Sequence, residues 1–396
     1  MNRPLEGVRV LDASRVLAGP YAAMMLGDLG ADVVKVEQPG VGDQTRGWGP
    51  PYQGDQSAYY LSINRNKRGL TLNLRDPQGR EIFTQLVEKS DILIENFRAG
   101  SLARLELSKE SLREMNSNLV HCSITGYGNS GPAAHKPAYD LILQAESGWM
   151  SITGEPDGAP VRIGVAILDL LAAHYAVQGI LAALWARARD GHGQYLEIAM
   201  YDVALASLCY MAQYYLVSGQ SPTKLGSQHP TIVPYQAFET QDGHVVVAVA
   251  SEAIWTRFCR AIEREDLATD PRFATNANRV THRSSLVGEI LEPLFQSRPT
   301  TDWIECLQTH DVPVAPVNDL ATALNTPQAR VRSLLHQVAH PTLESVSLPN
   351  PPLRFSQSEV GIYHAPPLLG QHTEEILGEL GYTPEEIARL QQPGVV

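Results

Sequence analysis

The sequence predicts an α/β protein with a doubly wound large domain, in which helices cover both faces of a parallel sheet, and a smaller α/β domain. Two observations favour this class. Apolar runs of strand length alternate with helical segments over the first 200 residues, as in sheets built from β-α-β units. A Gly/Ser/Pro-rich stretch then precedes a second alternating segment. With 396 residues, 43% of them hydrophobic, the chain can bury two cores.

The first elements form a β-α-β unit. Parallel strands are predicted at GVRVLD (7–12) and ADVVKVE (31–37), around the helical segment GPYAAMMLGDLG (19–30). Pro20 suits the first turn of this helix, where its missing N–H has no partner. The loop 13–19 is therefore expected at the carboxyl end of the first strand, the edge at which open α/β sheets bind ligands.

The remaining elements follow in alternation. In the large domain, strands are predicted at 69–74, 91–96, 118–124 and 194–200, and helices at 80–90, 108–116 and 168–189. In the small domain, a strand is predicted at 243–250 and helices near 252–264, 282–296 and 300–310. The long apolar helix 168–189 carries Asp169, His174 and Gln178, which indicate a buried helix rather than a membrane span.

These patterns predict four regions. A large domain at 1–200 is followed by a linker at 201–230 and a small domain at 231–315. Residues 316–396 form a second linker and return to the large domain, with a short acidic helix near 373–380.

The charge balance excludes some partners. Lys and Arg number 31 and Asp and Glu 43, which gives a net charge of −12 and disfavours binding to nucleic acid or to a membrane surface. The four cysteines are isolated and no metal-ligand pattern is visible, so we expect no metal and a reducing setting. No export signal is visible after Met1, and we expect a cytoplasmic protein.

Several motifs admit two interpretations. Gly126, Gly128 and Gly131 match a dinucleotide fingerprint, but Pro132 and Pro137 interrupt the helix that the fingerprint requires, so a tight loop near a ligand is favoured.

The cations of NRNKRG (64–69), with Arg75, Arg98 and Arg104 beyond, are either solvated surface charge or a site for a phosphate-rich ligand. Asp140, in the apolar segment AYDLILQAESG, is either a helix cap or a functional acid, and the same choice applies to Asp169.

Seven separated motifs in this order resemble one family. They are GVRVLDASRVLAGPYAAMMLGDLGADVVKVEQPGVGD, NRNKRGLTLNL, ILIENFRAGSLARL, SITGYGNSGP, AYDLILQAESG, GQYLEIAMYD and APPLLGQHTEEIL. From about residue 4 to its end, the chain closely resembles the family III CoA transferases, the CaiB/BaiF group, which is similar to the α-methylacyl-CoA racemases. The resemblance implies a Rossmann-like large domain and a homodimer of interlocked ring-like subunits.

The resemblance also implies a mechanism and a site. CoA would pass between an acyl-CoA and a small carboxylic acid through aspartyl anhydride and aspartyl-CoA intermediates, with Asp140 as nucleophile. CoA thioesters would be substrates, with no permanently bound cofactor. The implied CoA contacts are Leu17, Ala18, Gln38, Leu72, Asn73, Leu74, Arg75, Asn96, Phe97, Arg98 and Arg104.

Two segments of the sequence help to distinguish among the activities that the resemblance allows. Tyr139 stands where racemases carry a His, so a two-sided proton transfer lacks its base and a transferase is favoured. The segment GSQHPTIVPYQAF (226–238) resembles the succinyl-CoA:glutarate branch, which implies succinyl-CoA as donor and a dicarboxylate as acceptor.

Candidate substrate contacts are Arg46, Trp48, Tyr139 and His229. An α-methylacyl-CoA racemase and a non-catalytic CoA-binding module are the alternatives.

Overall fold

The computed structural model describes residues 2–392 and 394–396 and divides into two compact units. The first unit comprises the chain up to Trp149, Ile163–Gln213 and Pro327–Val396, and the second comprises Met150–Arg162 and Tyr214–Thr326. Up to residue 218 the chain forms β1 (Arg9–Asp12), α1 (Ala18–Asp28), β2 (Asp32–Glu37), β3 (Tyr52–Gln53), β4 (Gln56–Ser57), α2 (Ala58–Ile63), β5 (Lys67–Thr71), α3 (Pro77–Glu88), β6 (Ile92–Glu95), α4 (Lys109–Met115), β7 (Val120–Thr125), α5 (Asp140–Glu146), α6 (Trp149–Ile152), α7 (Ile167–Asp190), β8 (Tyr195–Ala199), α8 (Met200–Ser207) and α9 (Cys209–Ser218).

The later elements begin at residue 235. They are β9 (Tyr235–Glu239), β10 (His244–Ala248), α10 (Glu252–Ala261), α11 (Asp266–Thr269), α12 (Asn276–Thr281), a π-helical segment (Ser284–Leu291), α13 (Glu292–Phe295), α14 (Thr300–Thr309), β11 (Val314–Pro316), α15 (Leu320–Leu324), α16 (Pro327–Val331), β12 (Leu335–His340), β13 (Glu344–Pro349), α17 (Thr373–Leu380) and α18 (Pro384–Gln391).

A six-stranded parallel sheet is the centre of the first unit. Its strand order is β5-β2-β1-β6-β7-β8, and Val10 of β1 pairs with Val33 on one side and Ile92 on the other. The predicted α/β fold with a parallel central sheet is confirmed. Because all six strands run the same way, the loops after β1, β6 and β7 emerge at one edge of the sheet.

Two apolar cores cover the two faces of this sheet. On one face, α1 and α7 pack on residues such as Val10, Ile94 and Cys122. On the other face, α3, α4, α17 and α18 pack on residues such as Leu11 and Leu93. Alternate residues of each strand therefore serve different cores, as the pleat of a strand requires.

Helix α7 is buried along only one side. Ala172, Ala176 and Ile180 are fully buried, whereas Tyr175 and Trp185 are 41% and 76% exposed. In the part of the chain that is described, this 24-residue helix alone is long and apolar enough to cross a membrane by length and composition. The sequence-based expectation of a buried helix is therefore right for one side and wrong for the other.

The C-terminal region contains elements that the sequence analysis did not predict. Strands β12 and β13 form an antiparallel hairpin, and α18 follows the predicted helix at 373–380. On one face of the hairpin, Val346 and Leu348 pack with Leu61. In β12, Val338 shares this face with His336 and His340, whereas Leu335 and Ala339 lie on the other face. The regular alternation that predicts a half-buried strand is therefore lost in β12.

The second unit has its own sheet and core. Strands β11, β10 and β9 form a three-stranded antiparallel sheet, and its core contains Trp255, Phe258, Phe295 and Trp303. This unit extends to Thr326, beyond the predicted boundary at 315, and the predicted linker 201–230 contains most of α8 and all of α9. The division into domains and linkers stays a prediction.

The cysteines are free thiols. Cys122 and Cys259 are buried, Cys306 is half-buried, and Cys209 is exposed at the start of α9.

Candidate functional site

A cavity of about 350 Å³ lies at the carboxyl edge of the parallel sheet. The loops after β1, β6 and β7 and the first turn of α7 supply its walls. Its lining includes Arg15, Val16, Ala18, Gln44, Asn96, Phe97, Arg98, Arg104, Gly126, His135, Lys136, Tyr139 and Asp169. We refer to it as the first cavity.

A second cavity of about 360 Å³ adjoins the first. Its lining includes Gln38, Asp43, Leu72, Asn73, Leu74, Arg75, Phe97, Ser101 and Arg104. Arg15, Phe97 and Arg104 line both cavities, so the two form one continuous groove along the sheet edge. This groove brings together all the predicted CoA contacts except Leu17, which is buried and lines neither cavity.

The groove is rich in cations that have no acidic partner. In the described part of the chain, no ion pair involves Arg15, Arg75, Arg98 or Arg104. The guanidinium of Arg104 donates a hydrogen bond to the hydroxyl of Ser101, 2.9 Å away. Guanidinium groups bind phosphate through charge-assisted hydrogen bonds, so this groove is chemically suited to a phosphate-bearing ligand.

Asp169 is the carboxylate that lines the first cavity. It lies in the first turn of α7 and is only half-buried. Burial and the negative charge of Asp140 raise the pKa of Asp169 to about 7, while a hydrogen bond from the backbone N–H of Ala18 acts in the opposite direction. No ion pair to Asp169 is found among residues 2–392 and 394–396. A carboxylate of this kind is poised to act as a nucleophile or a base.

Asp140 occupies a different environment. It is 7% exposed, and neither cavity is lined by it. Its Oδ1 accepts a hydrogen bond from the backbone N–H of Leu168 at 2.8 Å, and its Oδ2 accepts one from the side chain of Gln144 at 2.5 Å. Asp140 therefore caps the N-terminus of α7, the helix that carries Asp169. The prediction that Asp140 caps a helix fits the structure, but the capped helix is α7 and not α5, the helix in which Asp140 lies.

Arg46 does not reach the groove. Its guanidinium forms two hydrogen bonds with Glu37, at 2.8 and 2.6 Å, and it also donates to the Tyr60 hydroxyl and the Pro367 carbonyl. These contacts saturate the side chain within the fold. The geometry thus corrects the prediction that Arg46 meets a substrate carboxylate.

The cations of NRNKRG are also structural. Arg65 pairs with Asp28, Lys67 with Asp12, and Arg68 with Asp32. Burial lowers the pKa of Lys67 to about 8, against the attraction of Asp12. The phosphate-binding alternative for this segment is therefore corrected.

The remaining predicted substrate contacts lie in different places. Tyr139 is 61% exposed and lines the first cavity. Trp48 does not line either cavity, and its ring packs edge-on against Tyr59, with centroids 5.1 Å apart. Burial and nearby negative charges, Asp169 first among them, raise the pKa of Tyr59 to about 12. His229 belongs to the second unit, where its ring packs against Tyr235.

Sequence reasoning missed some functional candidates. Arg15 lines both cavities, and its guanidinium lies over the Phe97 ring at 5.7 Å, but an isolated Arg in a loop carries no distinctive signal. Gly126, predicted to lie in a tight loop near a ligand, does line the first cavity. The described residues contain no cluster of His, Cys, Asp or Glu suited to a metal ion.

Comparison with known proteins gives consistent results. Residues 5–373 match the sequence profile of CoA-transferase family III. The chain is 40% identical over 395 residues to a succinyl-CoA:glutarate CoA-transferase of Homo sapiens, covering 100% of this chain and 90% of the relative. It is 41% identical over 390 residues to a succinyl-CoA:mesaconate CoA-transferase of Haloarcula marismortui, covering 95% and 96%. A CAIB/BAIF family protein from Brucella suis superposes with a TM-score of 0.86 at 38% identity, covering 96% of this chain and 100% of that one.

Proposed function

The chain belongs to CoA-transferase family III, and from this membership we propose that it moves CoA from succinyl-CoA to a free dicarboxylic acid such as glutarate. CoA thioesters are the substrates of this enzyme class. Two relatives of nearly equal identity are named for succinyl-CoA and for two different acceptors, glutarate and mesaconate. Both acceptors are dicarboxylic acids. The two names therefore support a dicarboxylic acid as acceptor more strongly than they support glutarate or mesaconate in particular.

We further propose Asp169, rather than Asp140, as the nucleophile. One observation carries this assignment: Asp169 opens onto the first cavity, whereas both oxygens of Asp140 are held by hydrogen bonds away from it. The raised pKa of Asp169 makes its carboxylate a stronger nucleophile, and a value of about 7 leaves about half of it ionised near neutral pH.

The proposed reaction proceeds by four acyl transfers. The Asp169 carboxylate attacks the succinyl thioester carbonyl, the C–S bond breaks, and CoA leaves as a thiolate, which gives a mixed anhydride. The thiolate attacks the aspartyl carbonyl and releases succinate, which leaves aspartyl-CoA. The acceptor carboxylate attacks aspartyl-CoA, giving a second anhydride and the thiolate. The thiolate then attacks the acceptor carbonyl, which forms the new acyl-CoA and restores the Asp169 carboxylate.

The groove supplies two further parts of the mechanism. Arg75, Arg98 and Arg104 are suited to the CoA phosphates, because no acidic side chain pairs with them in the described structure. Each acyl transfer also develops an oxyanion, and the backbone of the loop 126–131 lies at the first cavity through Gly126. We assign the other predicted CoA contacts except Leu17 to the same groove. Leu17 stays a proposed CoA contact, and we keep Trp48, Tyr139 and His229 as proposed substrate contacts.

The proposal extends to the architecture. We propose a doubly wound, Rossmann-like large domain and a cytoplasmic homodimer of interlocked ring-like subunits. The dimer is supported by large apolar side chains exposed on α7 and α8, namely Tyr175, Leu181, Trp185 and Leu205. Monomeric proteins seldom leave a group of this size in water.

The nucleophile is tested by intact-mass measurement. After incubation with succinyl-CoA alone, the wild type is expected to carry a CoA adduct, and Asp169→Asn is expected to carry none. Asp140→Asn serves as the matched control, because it keeps the acceptor oxygen for the Leu168 N–H and should still form the adduct. An adduct on Asp169→Asn that disappears in Asp140→Asn would restore Asp140 as the nucleophile.

The acceptor class is tested by a panel of acids with succinyl-CoA as donor. We expect glutarate to be used at least ~10-fold more efficiently than the monocarboxylate butyrate, because a site for a second carboxylate offers hydrogen bonds that butyrate cannot make. Equal use of the two acids would contradict a dicarboxylate site. Deuterium incorporation at an α-carbon without acid exchange would indicate the racemase instead.

A further inference from the structure

Four charged side chains are buried beneath the loop that follows β1. Asp12, Lys35, Asp43 and Lys67 are each 1% exposed or less. Lys67 Nζ lies 2.9 Å from Asp12 Oδ2, and Lys35 Nζ lies 3.0 Å from Asp43 Oδ2. Lys35 Nζ is also 4.0 Å from Asp12 Oδ2, which joins the two pairs. We call these four residues the buried lysine network.

The two lysines hold backbone carbonyls of residues 13–20, which comprise the loop after β1 and the first turn of α1 and are called the loop 13–20 below. Lys67 Nζ donates to the Pro20 carbonyl at 2.8 Å, in addition to its bonds with Asp12 and with the side chain of Asn64. Lys35 Nζ donates to the Ser14 carbonyl at 3.1 Å. Both ends of the loop are therefore fixed by an ammonium group.

The two aspartates hold N–H groups of the same loop. Asp12 Oδ1 accepts from the Ser14 N–H at 3.1 Å and from the Ser14 hydroxyl. Asp43 accepts from the Val16 N–H at 3.3 Å. Val16 has a φ of +72°, which is strained for a β-branched residue and persists only where surrounding contacts impose it. The network supplies those contacts.

Stability does not account for this arrangement. Removing four charges from water is expensive, and apolar residues of the same volume are often as stabilising as a buried ion pair. A buried ionic network is better explained by the conformation that it imposes. Here that conformation is the path of the loop 13–20.

The loop forms part of the reaction site. Arg15, Val16 and Ala18 line the first cavity together with Asp169. The backbone N–H of Ala18 acts to lower the pKa of the Asp169 carboxylate. We propose that Lys35 and Lys67 are positioning residues for acyl transfer, which act through the loop 13–20 to hold the part of the first cavity wall that lies beside Asp169. This inference rests on the proposed role of Asp169.

The test uses the double variant Lys67→Met/Asp12→Leu, which replaces one ion pair by apolar residues of similar size and leaves neither partner buried alone. We expect the rate of aspartyl-CoA formation to fall at least ~10-fold, because a small displacement of reacting groups is costly. We expect the Kd for CoA to rise less than the rate falls, because the proposed phosphate contacts are made by Arg75, Arg98 and Arg104, whereas the loop 13–20 supplies only the proposed contacts at Leu17 and Ala18.

The pH dependence separates positioning from a general structural effect. The Ala18 N–H stabilises the ionised form of Asp169, so losing it raises the pKa of Asp169. The rate falls at low pH because Asp169 becomes protonated, and we call this part of the pH–rate profile the acid limb. It should therefore move to higher pH, by about one unit for one hydrogen bond. The other groups facing Asp169 are Asp140, Tyr59 and the basic side chains that line the cavity, Arg15, Arg98, Arg104, His135 and Lys136. Arg15 moves with the loop, and losing a nearby cation shifts the limb in the same direction.

The matched control is Arg65→Met/Asp28→Leu, which removes another buried ion pair of the same unit. No hydrogen bond or ion pair joins Arg65 or Asp28 to the loop 13–20 in the described structure, and Asp28 senses Lys67 only through its charge, so the control should keep the native acid limb. If Lys67→Met/Asp12→Leu keeps the native rate and limb, or if the control shows the same shift, the inference is overturned. Loss of the rate and of CoA binding together, with no shift of the limb, also overturns it.

A second variant covers the case in which the double variant does not fold. Ser14→Ala removes the hydroxyl that Asp12 binds without burying an unpaired charge. We expect a smaller shift of the acid limb in the same direction, and an unchanged limb counts against the inference. The wild-type adduct on Asp169 is measured first: its absence would refute the proposed nucleophile, whereas its presence with unaffected variants refutes only the positioning role.

Discussion

At the scale of single residues, the structure separates two aspartates 29 positions apart: Asp140 caps a helix, and Asp169 lines the first cavity. The motif AYDLILQAESG drew attention to Asp140, since a carboxylate among apolar residues is costly unless it has a partner. The partner is the N-terminus of another helix, at Leu168. Which carboxylate faces the cavity depends on how α5 packs against α7, and no local sequence pattern predicts that packing. The same limit applies to Arg46, whose partners lie at Glu37 and at the distant Pro367.

One residue-scale prediction concerns stability and pH. The pKa of Asp169 is about 7 in the folded protein, against 3.8 as its ordinary value. The folded state thus holds a proton that the unfolded state releases, so stability falls as the pH rises from about 4 to about 7. Asp169→Asn removes this pH-dependent loss of stability. It should therefore raise the free energy of unfolding relative to the wild type, by roughly 1–2 kcal/mol at pH 8 after allowance for solvent screening.

Thermal unfolding at pH 5 and pH 8 provides the measurement. The gain in Tm from Asp169→Asn should be larger at pH 8 than at pH 5. Glu110→Gln, which removes an exposed carboxylate on α4, is the control and should show no such trend. A gain in Tm that is the same at both pH values would contradict a raised pKa of Asp169.

At the scale of elements, the sequence was most informative where a segment has one regular apolar pattern. The segments predicted as β1, α1, β2, β6, β7 and α7 form at or within a few residues of the expected positions, because their buried residues recur with a strand or helix period. The hairpin β12-β13 was not predicted because β12 lacks a regular alternation of apolar and polar residues. Its strands become recognisable only once Leu61 is placed beside them.

The cap of α7 gives an element-scale prediction. Asp140→Ala leaves the Leu168 N–H without its acceptor, and we expect the free energy of unfolding to fall by about 1–2 kcal/mol. Because the first turn of α7 carries Asp169, CoA transfer should also slow. Urea unfolding and an exchange assay measure the two effects.

Asp76→Ala is the matched control for this prediction. Asp76 caps α3 through the Gln78 N–H at 2.8 Å, so its loss should also reduce stability. It should leave the exchange rate unchanged, because α3 does not supply a residue to the first cavity. An equal loss of activity in both variants would mean that the cap of α7 has no special role.

At the scale of the whole molecule, the sequence predicted a parallel α/β sheet correctly, while the assembly stays a prediction. The apolar side chains exposed on α7 and α8 are spaced along helices whose opposite sides are buried, so a periodic pattern alone does not distinguish core from interface. An assembly depends on a second copy of the chain, which local sequence patterns do not describe.

The assembly prediction rests on Trp185, which is 76% exposed. If it lies in a subunit interface, Trp185→Glu should bury an unpaired charge there and shift the protein to a monomer or to aggregates. Sedimentation velocity at micromolar concentration measures the change. Arg189→Gln, at the exposed end of the same helix, should keep the native mass, and a wild-type monomer under these conditions would contradict the dimer.

The placement of the four thiols has a practical consequence. Burial raises the pKa of Cys259 to about 12 and that of Cys122 further still, and burial also raises the pKa of Cys306, so these three hold little thiolate at neutral pH. Cys209 is the exposed one. We therefore expect a maleimide dye to react first at Cys209 of the unmodified sequence, at a rate that reports whether the proposed dimer covers the start of α9.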